Sequence, residues 1–169
     1  MNLSWYYNWK AEPFNSIVDE GVDHVPMIWG RNQDDPNGTV DENLYAYIKE
    51  QCALVPEDAN YVLGYNEPDL GAQANMTVVQ AQEGWKDIEA LGKRTVSPSI
   101  SNPNGTYSAW LTPFLKGGDV YSNGVQVTVE GVSCDCVAIH TYISQRSVSM
   151  VVNAVKSVYE LYGKPVWVT

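Results

Sequence analysis

The stretch Leu63-Gly-Tyr-Asn66-Glu67-Pro68-Asp69 is the part of the chain best suited to chemistry. An apolar run leads straight into an Asn-Glu pair, and Pro68, which has no N–H to donate, stops regular pairing there. Glu67 is therefore held at a strand end. A carboxyl group in that position suits general acid/base work: it protonates the oxygen of a breaking bond and afterwards takes a proton from water. Where that bond is glycosidic, a neighbouring amide such as Asn66 can hydrogen-bond the sugar 2-hydroxyl. Aromatic residues extend the same chemistry, because sugar rings present flat C–H faces that pack on indole and phenol rings. Trp5, Tyr6, Trp9, Trp29 and Trp110 are the candidate platforms, with Trp9 and Trp29 favoured because they sit at strand ends. Alternation along the first strand puts Trp5, Tyr7 and Trp9 on one side, and Tyr6 and Asn8 on the other.

These residues need a scaffold, and the rest of the chain describes one. Strand-like runs cover Leu3 to Trp9, His24 to Trp29, Tyr61 to Tyr65, Thr95 to Ile100, Cys136 to Tyr142 and Pro165 to Thr169. Helical patterns lie between them. Thr39-Val-Asp-Glu42 predicts a capping box opening a helix whose Leu44, Ile48 and Cys52 share one face. Thr77-Val-Val-Gln80 predicts another, with Val78, Ala81, Trp85, Ile88 and Leu91 as its apolar stripe and Gly92 as its stop. A third begins near Ser147, aligns Val148, Val151, Val155, Val158 and Tyr162, and ends at Gly163. Trp110 to Leu115 reads as a short helix with Pro113 in its first turn. Strand and helix in regular succession mean βαβ units and a parallel sheet, hence an α/β fold.

Such a sheet is either open or closed into a barrel. No Gly-rich turn follows the first strand, so nothing there cradles a nucleotide phosphate. Several strands instead end in residues that bind sugars or move protons: Asn8-Trp9, Trp29, Asn66-Glu67, Ser97-Pro98 and His140-x-Tyr142. That is the pattern of a (β/α)8 active-site face.

The 169 residues carry a net charge of −10, which disfavours nucleic acid and anionic membrane surfaces as partners. No apolar run approaches the roughly 18 residues of a membrane-spanning helix. Cys52, Cys134 and Cys136 form no CxxC pair and no even framework, so buried thiols are expected, with a single Cys52 bridge as the alternative. Asn-x-Ser/Thr triplets begin at Asn2, Asn37, Asn75 and Asn104. Asp34-Asp35 and Asp41-Glu42 lack the regular ligand spacing of a calcium loop. Neither a metal nor a cofactor is expected.

The segments Trp5-Tyr-Tyr-Asn-Trp9, Val25-Pro-Met-Ile-Trp-Gly30, Leu63 to Asp69, Val96-Ser-Pro98, Val137-Ala-Ile-His-Thr-Tyr142 and Pro165-Val-Trp-Val-Thr169 resemble, in order, the motifs of glycoside hydrolase family 128. This is a β-1,3-glucanase group in the clan of retaining (β/α)8 enzymes. The resemblance implies that Glu67 is the general acid/base and that Asn66 positions the substrate 2-hydroxyl. It places His140 and Tyr142 on the strand before the nucleophile, which they help to orient. Thr141 stands where the family often carries an aromatic residue. The family's last motif runs from Trp-Val-Thr into the nucleophilic glutamate, so that residue is expected just after Thr169. Residues 1–169 are then expected to be one catalytic domain of (β/α)8 type, C-terminally truncated, without its final strand and helix. The expected partner is a β-glucan polysaccharide or oligosaccharide, the expected location extracellular or cell wall, and the complete domain a monomer. The alternatives are a non-catalytic glucan-binding protein on the same fold and a clan relative with another β-glycan specificity.

Overall fold

The computed structural model describes residues 4–14, 21–101, 107–141 and 147–169. Six strands lie parallel in chain order. β1 (Trp5–Tyr6) pairs with β2 (Asp23–His24), β3 (Tyr61–Leu63) with β4 (Arg94–Val96), and β7 (Val137–Ile139) with β8 (Val166–Val168). Single parallel bridges join the pairs: Met27 to Leu63, then Val96 to Cys136 and Ile100 to Ile139. The regular ladders are shorter than the apolar runs that announce them. Pro26 and Pro98 remove ladder donors inside two of those runs, and beyond β4 the Ser97 hydroxyl accepts a bond from the Ala138 N–H at 3.0 Å.

Helices fill the crossovers. α1 (Asp41–Ala53) lies between β2 and β3, α2 (Val78–Glu89) between β3 and β4, and α4 (Val148–Tyr162) between β7 and β8. The Thr77–Gln80 capping box forms as expected, with both reciprocal bonds present. The one expected at Thr39 does not form: α1 starts one residue later, on Val40, which has no side-chain cap. α4 ends at Gly163, whose left-handed φ of 64° a Cβ would strain. Of its expected stripe only Val158 is fully buried, and Val148 lies in the open.

Between β4 and β7 a π-helical turn (Tyr107–Leu111) runs into α3 (Thr112–Lys116), with Pro113 in the first turn. A hairpin of β5 (Gly117–Ser122) and β6 (Val125–Glu130) follows, closed by Asn123-Gly124 with both residues at positive φ. That is the geometry an Asn-Gly hairpin turn provides.

The sheet is apolar on both faces, as parallel strands flanked on each side must be. On one face Ile28, Val62, Tyr65, Ile100, Val137 and Ile139 pack against Leu44 and Ile48 of α1, Ala81, Trp85 and Ile88 of α2, and Phe114. Trp85, fully buried, meets Tyr65 and Phe114 edge to face and donates its indole N–H to the Ser133 carbonyl. The other face holds a smaller cluster of Val25, Met27, Leu63, Val96, Cys136 and Ala138, with Tyr7, Trp29, Tyr61 and Trp167 against it. Among the described residues no closed barrel forms, since no pairing joins β1 to β8. Trp5 and Trp167 nonetheless meet at 4.9 Å between ring centroids, and Trp167 also touches Tyr61.

Candidate active site

Glu67 lies four residues beyond the end of β3, where the chain turns sharply. Its φ of 44° is left-handed, uncommon and strained for a residue with a Cβ. Neighbours fix it there: its N–H donates to the Ser99 carbonyl at 2.7 Å, and its own carbonyl accepts from Leu70 at 3.0 Å. The residue is only 4% exposed, and its Oε1 lies 2.8 Å from His140 Nδ1, just past the end of β7. With the carboxylate ionised, the Nδ1–H donates to it. With the proton on the carboxyl, the O–H donates to a bare Nδ1. The pair therefore retains its hydrogen bond in both protonation states an acid/base group must visit.

Asn66 is also 4% exposed. Its backbone N–H donates to the Trp29 carbonyl at 3.0 Å, tying the end of β3 to the end of β2. Its Nδ2 donates to Gln73 Oε1 at 3.0 Å, while Oδ1 has no protein partner. Trp29 is held in turn by Gln51 of α1, which accepts from its N–H at 2.8 Å and donates to the Gly30 carbonyl at 2.9 Å.

Tyr7, Trp9, Trp29, Gln33, Asn66, Glu67, Gln73, His140 and Thr169 line one open cavity of about 480 Å³ at the C-terminal ends of the parallel strands. Trp9 is 54% exposed with its ring edge on Tyr7, and its φ of 58° is a second left-handed position at the rim. Burial pushes the Tyr7 phenol above its usual range, so it stays a hydrogen-bond donor at neutral pH. Thr169 closes the floor through a 2.9 Å bond between its hydroxyl and that of Ser99.

Two residues expected as substrate contacts lie off this cavity. Trp110 is core: its ring stacks on Phe114 and its indole N–H donates to the Met76 carbonyl at 2.9 Å. Asn8 faces away from the cavity, with Nδ2 donating to the Glu12 carbonyl and Oδ1 held 2.9 Å from His24 Nε2. This follows the strand alternation, which sends Tyr7 inward and Asn8 outward. Tyr142 lies outside the described residues. Gln33, Gln73 and Thr169 enter the site without having been singled out in the sequence; Gln73 lies in a loop with no periodic signal.

A larger cavity, about 820 Å³, opens at the opposite strand ends beside Trp5, Tyr61, Arg94 and Trp167. Its carboxylates among the described residues, Asp23 and Asp58, are exposed to water, unlike the buried Glu67. Cys52, Cys134 and Cys136 are free thiols buried away from the cleft. Among the described residues no group of three His, Cys, Asp or Glu side chains converges to hold a metal ion, and no helix is long and apolar enough to cross a membrane.

Solved structures share this fold. The chain is similar to a family 128 endo-β-1,3-glucanase from Amycolatopsis mediterranei in complex with laminaritriose (26% identity, TM-score 0.65, covering 98% of this chain and 61% of that one). It is similar also to a family 128 endo-β-1,3-glucanase from Sorangium cellulosum (26%, 0.63, covering 98% and 64%). A family 128 oligosaccharide-binding protein from Cryptococcus neoformans matches at 26% with a TM-score of 0.69, covering 98% of this chain and 59% of that one. The chain thus spans between 59% and 64% of the length of these relatives. A comparison with curated proteins found no match. The model of the family described as glycosyl hydrolase catalytic core matches residues 1–169 from end to end, and the chain belongs to that family.

Proposed function

We propose that this chain carries the acid/base side of a β-1,3-glucan-cleaving glycoside hydrolase site, on six strands of a (β/α)8 barrel. The observation that carries this is Glu67, a buried carboxyl hydrogen-bonded to His140 at the floor of a cleft walled by Trp9 and Trp29. The likeness to endo-β-1,3-glucanases supports the substrate class. Sequential parallel strands supply the barrel reading.

In the proposed reaction a glucan chain lies along the cleft with sugar faces on Trp9 and Trp29. Glu67 protonates the leaving oxygen while a second carboxylate attacks the anomeric carbon, and Glu67 then deprotonates the water that releases the product. The second carboxylate would stand on the strand end that follows Thr169, itself part of the cavity floor. Retention requires the two carboxyls about 5 to 5.5 Å apart. The size of such a polymer, which cannot cross a membrane, supports the reading that the activity lies outside the cell or in the cell wall.

A second reading is oligosaccharide binding without cleavage. It is favoured by the likeness to the Cryptococcus protein. Release of reducing ends from laminarin by the protein at its natural length separates the two. Cleavage that collapses in Glu67→Gln establishes the hydrolase; laminaritriose binding without cleavage establishes the binding protein; and absence of both refutes the glucan assignment.

A further inference from the structure

Parallel strands exchange evenly spaced bonds, so each rung fixes where the next should fall. Beyond β3 and β4 the ladder continues through Asn66 and Ser99: the Ser99 N–H donates to the Tyr65 carbonyl at 3.1 Å and the Glu67 N–H to the Ser99 carbonyl at 2.7 Å. The next rung would run from the Ser101 N–H to the Glu67 carbonyl. The chain turns at Glu67 instead, and that carbonyl accepts from the Leu70 N–H at 3.0 Å. Pro68 takes the second position of the turn, where its fixed φ suits it.

Asp69 supplies the acceptor that the turn withdraws. Its Oδ1 accepts from the Ser101 N–H at 2.8 Å, and its Oδ2 from the Ser101 hydroxyl at 2.8 Å. Glu67 is thereby gripped from both sides, by its own N–H on Ser99 and by Asp69 on Ser101. The grip matters because a φ of 44° is strained, and a residue with a Cβ keeps such a value only where its surroundings over-determine it. Were the Asp69 bonds lost, Glu67 could relax to an extended φ and regain the regular rung. That would swing its carboxyl away from His140 Nδ1, now 2.8 Å distant.

From this register we infer that Asp69 is a positioning residue: by taking over the rung that Glu67 gives up, its carboxylate holds the left-handed turn that delivers the Glu67 carboxyl to His140. The inference rests on the hydrolase reading only for the reaction it serves. Asp69 stands outside the cavity, so its variants leave the Trp9 and Trp29 platforms in place. The position requires an acceptor for the Ser101 N–H, not a charge. Asp69→Asn retains that acceptor, with its amide N–H donating to the Ser101 hydroxyl, and Ser101→Ala keeps the backbone bond. Asp69→Ala removes both bonds.

Two measurements on the protein at its natural length test it. The first needs no ligand: NMR of 15N-histidine-labelled protein, following His140 Nδ1 with His24 as the reference. Asp69→Ala should shift the His140 resonance and leave His24 unmoved, whereas Asp69→Asn and Ser101→Ala should match the wild type. The second is laminarin hydrolysis. Asp69→Ala should lower kcat about 100-fold, the cost of misplacing a reacting group by roughly 1 Å, with KM within about twofold; Asp69→Asn should stay within about threefold of wild type in both. A merely structural role would lower the Tm of Asp69→Ala yet leave the His140 resonance and kcat at wild-type values, which overturns the inference. Equal losses in Asp69→Asn and Asp69→Ala overturn it as well, since the carboxylate would then act through its charge. If Asp69→Ala does not melt cooperatively, Asp69→Glu, whose carboxylate overshoots by one methylene, replaces it: a shifted resonance with lowered kcat supports the inference, and wild-type values overturn it. A wild type that cleaves no laminarin, with the His140 resonances as expected, refutes the hydrolase reading and leaves the positioning role standing.

Discussion

Replacing Glu67 with Gln separates chemistry from structure, because the two costs differ in size. The amide is isosteric and can still accept from His140 Nδ1–H, 2.8 Å away in the wild type. Both backbone bonds at residue 67 are untouched, and the left-handed φ is as strained for Gln as for Glu. What is lost structurally is the difference between a charge-assisted and a neutral hydrogen bond, about 1 kcal/mol, or roughly 2–4 °C in Tm for a chain of this size. What is lost chemically is the proton donor, worth roughly 100- to 10,000-fold in rate. In the protein at its natural length, melting curves should therefore barely move while laminarin hydrolysis collapses. An aryl β-laminaribioside, whose leaving group needs little protonation, should still form the glycosyl-enzyme rapidly and then stall. Azide, which needs no general base, should release it as the β-glycosyl azide. Laminarin cleavage within tenfold of wild type would refute the acid/base role, and so would an α-azide product.

Three further outcomes follow from the packing. Gly64→Ala should destabilise by roughly 1–3 kcal/mol in urea titrations, because its Cβ would lie 2.7 Å from the Trp85 ring and 2.9 Å from Pro98 N; an unchanged midpoint would show that the Trp85 contact is slack. Burial pushes Cys52 and Cys134 up to about 12, so in native protein at pH 8 they should react with a disulfide reagent roughly a thousandfold more slowly than in urea. Burial lowers His24 below its ordinary 6.5, so the unfolded chain takes up that proton first. The resulting stability is complete above 6.5 and lost as pH falls through the folded value. His24→Gln should flatten that part of the urea midpoint against pH, and a slope identical to wild type would contradict it.

Much of the scaffold is legible in the sequence because it is buried twice over. Strands covered on both faces must be continuous apolar runs, and α1 and α2 must repeat apolar residues at helical spacing. The end of β3 is legible for the same reason: Asn66 and Glu67 interrupt an apolar run that has no other cause to stop. The β5–β6 hairpin does carry a signal, Asn123-Gly124 before the alternating Val125, Val127 and Val129, yet an expectation of strand-helix alternation passes over it. Trp110 shows a real limit. An aromatic residue in a loop reads the same whether it faces sugar or core, and only the Met76 carbonyl, 34 residues earlier in the chain, decides it. Gln73 is illegible in another way, since its place at the cleft depends on a loop closed by backbone bonds that leave no periodic trace.

The contact between Trp5 and Trp167 brings β1 beside β8, 162 residues apart in the sequence. Closing so long a loop is entropically costly until intervening βα units have docked and brought the ends near each other. The pair is thus a clock for the docking of β8 beside β1. Two indoles this close perturb each other's emission, so the fluorescence of this corner reports when β1 and β8 meet, after the signals of helix formation have settled.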